Sequence, residues 1–142
     1  QVIRALYAAS QAGVGIDLIV RGACTLLPGI EGVSANIRVR SIVGRFLEHH
    51  RTWWFGNDGA PELYCSSADW LERNLLRRVE TAFPMLDAGA AQRVHREGLL
   101  NYLADNQNAW ELHADGSYHK ILPAPGEAGF SAQLSLLEGL YS

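Results

Sequence analysis

The chain has 142 residues, 48% of them hydrophobic and 19% charged, with a formal net charge of −3. This is enough for one ordinary core and is typical of a soluble globular protein, and the negative balance argues against a general nucleic-acid partner, which should be basic. No apolar run approaches the roughly 18 residues that a membrane-spanning helix needs.

Residues 2–12 read as an amphipathic helix, with Val2, Ile3, Leu6 and Tyr7 on one face and Gly13 as its stop. The opening residue is Gln1 rather than Met, which predicts a fragment cut from a longer chain on its N-terminal side. Ile16-Asp17-Leu18-Ile19-Val20 is a short β-prone run ending at Arg21-Gly22, as in half of a βαβ unit. Residues 22–35 contain Pro28, Gly29 and Gly32 and little periodicity, so they predict a loop. Residues 37–43 alternate in part and read as a strand. Residues 52–55 and 62–65 read as the arms of a hairpin about the turn Gly56-Asn57-Asp58-Gly59.

Residues 70–74 read as a loop or a single helical turn, and residues 78–83 as a strand closed by Pro84. Asp87 caps a helix with Ala91, Val94, Gly98, Leu99 and Tyr102 on one face. Ala114-Asp115-Gly116-Ser117 is a hairpin tip between two short strands, and residues 123–129 form a linker. Phe130, Leu134, Leu137 and Tyr141 predict a last amphipathic helix, which packs either on this domain or on a neighbour. The reading is one α/β domain over residues 1–142.

Cys24 and Cys65 fit no metal-ligand spacing and read as small core residues in a reducing compartment. Of the twelve basic residues eleven are Arg, and only Lys120 is Lys. Arg21, Arg38, Arg40, Arg45 and Arg51 fall in a stretch with two acids, Glu31 and Glu48, while Arg73, Arg77 and Arg78 form a second cluster. The planar donor fork of arginine suits phosphate oxygens.

His49-His50-Arg51 concentrates the chemistry. In an extended segment His49 and Arg51 share a side and His50 faces away. Arg21 stands where a strand meets a Gly-containing loop, and ligands of open α/β sheets bind at such ends. Ser66 and Ser67 close the far arm of the hairpin. If these ends converge, one pocket holds a histidine, several guanidinium groups and two hydroxyls, a set suited to phosphoryl transfer by positioning and charge neutralisation. The plain alternative for Ser66 and Ser67 is a turn that caps the next segment. For Asp69 the choice is between orienting His49 or Arg73 and capping residues 70–74. His95, His113 and His119 read as solvated. The glycine-rich nucleotide loops are absent, and no carboxylate cluster suggests a protein metal site.

Several long motifs, in order and with matching gaps, carry a resemblance. Ile16-Asp17-Leu18-Ile19-Val20-Arg21-Gly22, the run from Asn36 through Phe46 to His49, Tyr64-Cys65-Ser66-Ser67-Ala68-Asp69-Trp70 and Arg73-Asn74 resemble the C-terminal catalytic domain of bacterial polyphosphate kinase. The Pro28-Gly29 loop and a strand at Arg77-Arg78-Val79-Glu80 also fit, and the likeness runs from near residue 2 to about residue 112. It implies a phospholipase D-like layered α/β fold, a mixed β-sheet flanked by helices. His49-x-Arg51 stands where phospholipase D has His-x-Lys, and Ser66-Ser67-Ala68-Asp69 where it has Gly-Ser-x-Asn. Those departures argue against phospholipid hydrolysis.

The resemblance further implies reversible transfer of the terminal phosphate of ATP to polyphosphate, with Mg2+ as cofactor. The phosphorylated histidine would lie in a preceding domain, and this domain would supply the ATP-binding half of the site. His49 would be the opposing catalytic histidine. Arg21, His49, Arg51, Ser66, Ser67 and Arg73 would hold ATP and phosphate. Implied partners are ATP or ADP, polyphosphate, the upstream domains of the same polypeptide and further copies in an oligomer. A cytoplasmic location is implied, with peripheral attachment at the inner membrane face open for the full-length enzyme. A phospholipase D-like phosphodiesterase and a non-catalytic polyphosphate-binding module are the alternatives.

Overall fold

The structure is a computed structural model and describes residues 1–140. Its contacts group the chain into two units: residues 1–45 with the stretch from Tyr102 onward, and Phe46–Asn101.

In the first unit, α1 (Val2–Gln11) leads into β1 (Ile16–Ile19), and β2 (Ile37–Ile42) pairs parallel to it with Ile16 opposite Ile37. Parallel neighbours need a long crossover. Here it is the glycine-bearing loop expected from the sequence. The buried Ser34 ties it together: its Oγ donates to the Leu27 carbonyl at 2.7 Å and accepts from Ile30 N–H at 3.1 Å. Gly29 (φ +70°) and Gly32 (φ +71°) take left-handed conformations that this loop requires.

The chain returns to this sheet after Phe46–Asn101. Two further strands pair antiparallel, giving a four-stranded mixed sheet in the order β1, β2, Ala109–Leu112, Tyr118–Lys120. Period-two alternation splits its residues between two faces. Ile16, Leu18, Ile37, Val39 and Leu112 pack with Leu26 and with Ile3, Leu6 and Tyr7 of α1. Ile19, Ile42 and Ala109 point the other way and pack with Tyr102, Ala132 and Leu136. The sheet is thus covered by helices on both faces.

The second unit holds an antiparallel sheet of β3 (Arg51–Phe55), β4 (Glu62–Ser66) and β5 (Ala82–Pro84). A 3-10 turn at Asn57–Gly59 joins the first two, with Asn57 and Asp58 in left-handed conformation. The helix α2 (Glu72–Arg77) precedes β5, and α3 (Ala88–His95) follows it. Asp87 caps α3 as expected, its Oδ1 accepting from Ala90 N–H at 2.7 Å. The helix continues through a π-helical turn at Arg96–Leu100 into α4 (Asn101–Ala104). In chain order the remaining elements are β6 (Ala109–Leu112), β7 (Tyr118–Lys120) and α5 (Ala132–Glu138).

Four expectations about elements differ from the structure. Residues 70–74 are not confined to a loop or one turn, because α2 runs from Glu72 to Arg77. The strand expected at 78–83 is only Ala82–Pro84. Pairing with β4 starts where Ser66 meets Ala82; beyond Ser66 the partner strand turns away, so Arg78 is extended (φ −127°, ψ 156°) but outside the ladder. The same finding removes the strand at Arg77-Arg78-Val79-Glu80 that the resemblance suggested. The last helix starts at Ala132, capped by Ser131, and buries Ala132 and Gln133 while Leu134 is 51% exposed. Phe130 therefore precedes it, and Tyr141 lies outside the described residues.

Candidate functional site

Antiparallel pairing brings the two ends of the hairpin together: Arg51, the first residue of β3, sits directly opposite Ser66, the last of β4. One face of this sheet carries Arg51, Trp53, Tyr64, Ser66 and Ala82, the other Thr52, Trp54, Leu63, Cys65 and Phe83. Trp53 meets Trp70 at 5.3 Å between ring centroids. On the opposite face Trp54 stacks on His95 at 5.0 Å and 9°. His95 is thus half-buried against an indole, contrary to its solvated reading. A period-3.6 pattern places His95 on α3 but cannot show that a tryptophan lies above it. His113 and His119 are exposed, as expected, though their rings lie 4.2 Å apart.

His49 is exposed and precedes the strand, which begins at Arg51, so strand alternation does not by itself fix its direction. Arg51 fixes its backbone instead. Its Nη1 donates to the His49 carbonyl at 2.6 Å, and its Nε donates to Asp69 Oδ1 at 2.9 Å. Asp69 therefore pairs with Arg51, a partner named by neither of its readings, orienting His49 or Arg73 or capping residues 70–74. His50 does diverge from Arg51: its Nε2 lies 3.2 Å from the Gly98 carbonyl in the π-helical turn. A Cβ at Gly98 would stand 3.6 Å from Thr52 Oγ1 and 3.8 Å from His50 Cδ2, ordinary van der Waals contact, so this approach does not itself require glycine.

Ser66 and Ser67 form a turn laced to the chain before β5. Ser66 Oγ donates to the Thr81 carbonyl at 3.1 Å and accepts from Ala68 N–H at 3.0 Å. Ser67 Oγ donates to Glu80 Oε2 at 2.5 Å and accepts from Thr81 N–H at 3.0 Å. Asn74 Nδ2 donates to Glu80 Oε1 at 2.8 Å. The Ser67 hydroxyl and the Asn74 amide hold the Glu80 carboxyl below its ordinary range, and the charges of Arg78 and Arg51 add to this. Arg73 lies exposed on α2. Glu80 and Asn74 carry this network, and sequence reasoning had assigned neither a role. The signal available was that both stand in motifs that carried the family resemblance, Arg73-Asn74 and Arg77-Arg78-Val79-Glu80.

Arg21 belongs to the first unit, while His49, Arg51, Ser66, Ser67 and Arg73 belong to the second. Arg21 follows β1 at the expected strand end; it is exposed, and its carbonyl accepts from Ser41 Oγ at 2.9 Å. Both cysteines are free thiols and half-buried.

Residues 1–133 match the family described as Polyphosphate kinase C-terminal domain 2. The chain belongs to that family. It is 66% identical over 140 residues to a polyphosphate kinase of Xylella fastidiosa and 59% identical over 140 residues to one of Pseudomonas aeruginosa. In both cases 99% of this chain and 20% of the relative are covered, so the chain spans about one fifth of the length of those kinases. The crystal structure of polyphosphate kinase from Porphyromonas gingivalis is 41% identical, with a TM-score of 0.92 over 99% of this chain and 21% of that one. The fold of this family is thus an α/β domain with mixed sheets and helices. No helix among the described residues is long and apolar enough to cross a membrane.

Proposed function

We propose that this chain is part of a transferase that moves the terminal phosphate of ATP reversibly onto polyphosphate. It contributes His49 as a catalytic group opposite a phosphorylated histidine in a preceding domain, and Arg21 as a grip on ATP phosphates. The observation that carries this reading, beside the family, is the Arg51 fork. It anchors the His49 backbone to Asp69 while His49 itself stays exposed. An exposed imidazole on a fixed backbone is placed to give or take a proton, or to meet phosphate. Because Asp69 and a carbonyl already occupy two arms of its fork, Arg51 acts on phosphate mainly by holding His49. Arg73 is exposed and available to a phosphate chain.

The phospholipase D-like layering remains part of this proposal, as does assembly into an oligomer of the full-length enzyme in the cytoplasm. No group of three or more His, Cys, Asp or Glu side chains among the described residues is arranged to hold a metal ion. The residues present therefore do not form a cage for Mg2+, and none of their roles here is routed through it.

The test is steady-state kinetics of the full-length kinase. His49→Ala should lower turnover by about 10²–10⁴ with little change in ATP affinity, the usual loss for a general acid or base. Arg21→Ala should weaken both, since it grips charge in ground and transition states alike. Normal turnover in His49→Ala refutes the assignment. Phosphodiester hydrolysis by the wild-type kinase without transfer would instead favour a phospholipase-like enzyme, and polyphosphate binding without transfer a passive module.

A further inference from the structure

The β6–β7 hairpin of the first unit carries two imidazoles side by side. His113, just after β6, and His119 in β7 are both exposed, and their ring centroids lie 4.2 Å apart at 36°. That separation has a meaning in coordination chemistry. Two imidazoles bound at right angles to one ion, with metal–nitrogen bonds of about 2.1 Å, have centroids about 4.5 Å apart. A tetrahedral ion would spread them to about 5.2 Å.

The hairpin turn also prepares one of the rings. Ser117 Oγ has a single proton and donates it to Asp115 Oδ1 at 2.6 Å. In its 3.1 Å contact with His119 Nε2 the ring nitrogen is therefore the donor. In the neutral ring this leaves Nδ1 with the lone pair that a metal needs. A histidine whose second nitrogen donates to a carboxylate-backed oxygen is well supported as a ligand, because the contact fixes its tautomer and raises its basicity. Charge on this face of the sheet favours a cation. Glu111 stands opposite His119 in the ladder. Arg38 of β2, on the same face by alternation, is already gripped by both oxygens of Asp17, at 2.7 and 2.9 Å.

We propose that His113 and His119 bind one divalent transition-metal ion that favours nitrogen ligands at right angles, Ni2+ or Cu2+, with water in its remaining positions. This goes beyond the transferase reading and does not depend on it. Two imidazoles are fewer than the protein ligands of a resident metal centre, so the site fills reversibly with the free concentration of the ion. Mg2+ does not compete, because it prefers oxygen ligands.

The experiment is calorimetric titration of the full-length kinase with NiCl2 in excess Mg2+, at a pH above the ordinary histidine value of about 6.5. Crystals of the same protein soaked in NiCl2 are measured by anomalous diffraction. Saturable binding should weaken roughly tenfold or more in His113→Ala and in His119→Ala alike, since each removes one arm of a chelate. Both side chains are exposed, so neither variant disturbs a core, and circular dichroism checks the fold. The ion should lie about 2.1 Å from one nitrogen of each ring. Three results overturn the proposal: no saturable binding, binding unchanged in either variant, or an ion held by one ring alone.

Discussion

Replacing Arg51 by Met tests the anchor beneath His49. Methionine keeps much of the aliphatic stem, so the packing loss is small and the change removes mainly two interactions. The first is the ion pair with Asp69, whose partners' side chains are 29% and 43% exposed. At that exposure screening leaves the pair worth about 0.5–1 kcal/mol. The second is the hydrogen bond to the His49 carbonyl, 2.6 Å long and also near solvent, worth roughly 1 kcal/mol. Arg51→Met should therefore lower unfolding free energy by about 1.5–2 kcal/mol in urea denaturation of the 142-residue chain. Arg51→Lys should recover little, since an ammonium cannot present the two-armed fork. A double-mutant cycle with Asp69→Ala should return only the ion-pair part, about 0.5–1 kcal/mol. In the full-length kinase the loosened His49 should cost turnover about tenfold while ATP affinity changes little, because positioning acts in the transition state. A midpoint unchanged in Arg51→Met, with full turnover, would falsify the anchor.

His50→Ala removes the bond to the Gly98 carbonyl and should cost about 0.5–1 kcal/mol of stability without altering ATP affinity; a turnover loss larger than that of His49→Ala would show the catalytic histidine to be misplaced. Asp105, 1% exposed, accepts backbone N–H groups of Gln107, Asn108 and Ala132. Asp105→Ala strands these three donors and should destabilise by roughly 3–5 kcal/mol in the same denaturation assay, and a loss under 1 kcal/mol would mean that they find other partners. Glu80 has its carboxyl held below the ordinary value of 4.5 by hydrogen bonds from Ser67 and Asn74. Its contribution is present above that value and is lost as pH falls through the lower folded value. Glu80→Gln should thus be less stable than the parent at pH 7, with the gap closing in acid; a gap independent of pH contradicts the carboxylate's role.

Local pattern and turn chemistry determined much of this fold. Gly13 ends α1, Asp87 caps α3, and the turn at Gly56-Asn57-Asp58-Gly59 closes the β3–β4 hairpin, because each rests on a residue's own backbone preference or on neighbours close in sequence. The motifs around Arg21, His49 and Ser66 pointed to the family that comparison with known proteins established.

Tertiary structure decided what depends on partners distant along the chain. Arg51 finds Asp69 eighteen residues away, His50 finds Gly98 forty-eight residues away, and the length of β5 is set by where β4 turns aside. α5 buries Ala132 and Gln133 rather than Leu134, because Asp105 and Asn108 fix its start through Ala132 N–H and Ser131. Glu80 and Asn74 stood in the motifs without a role for the same reason. A carboxylate and an amide have no periodic signature of their own, and their significance arises only when folding buries one beside the other and leaves an oxygen without a donor.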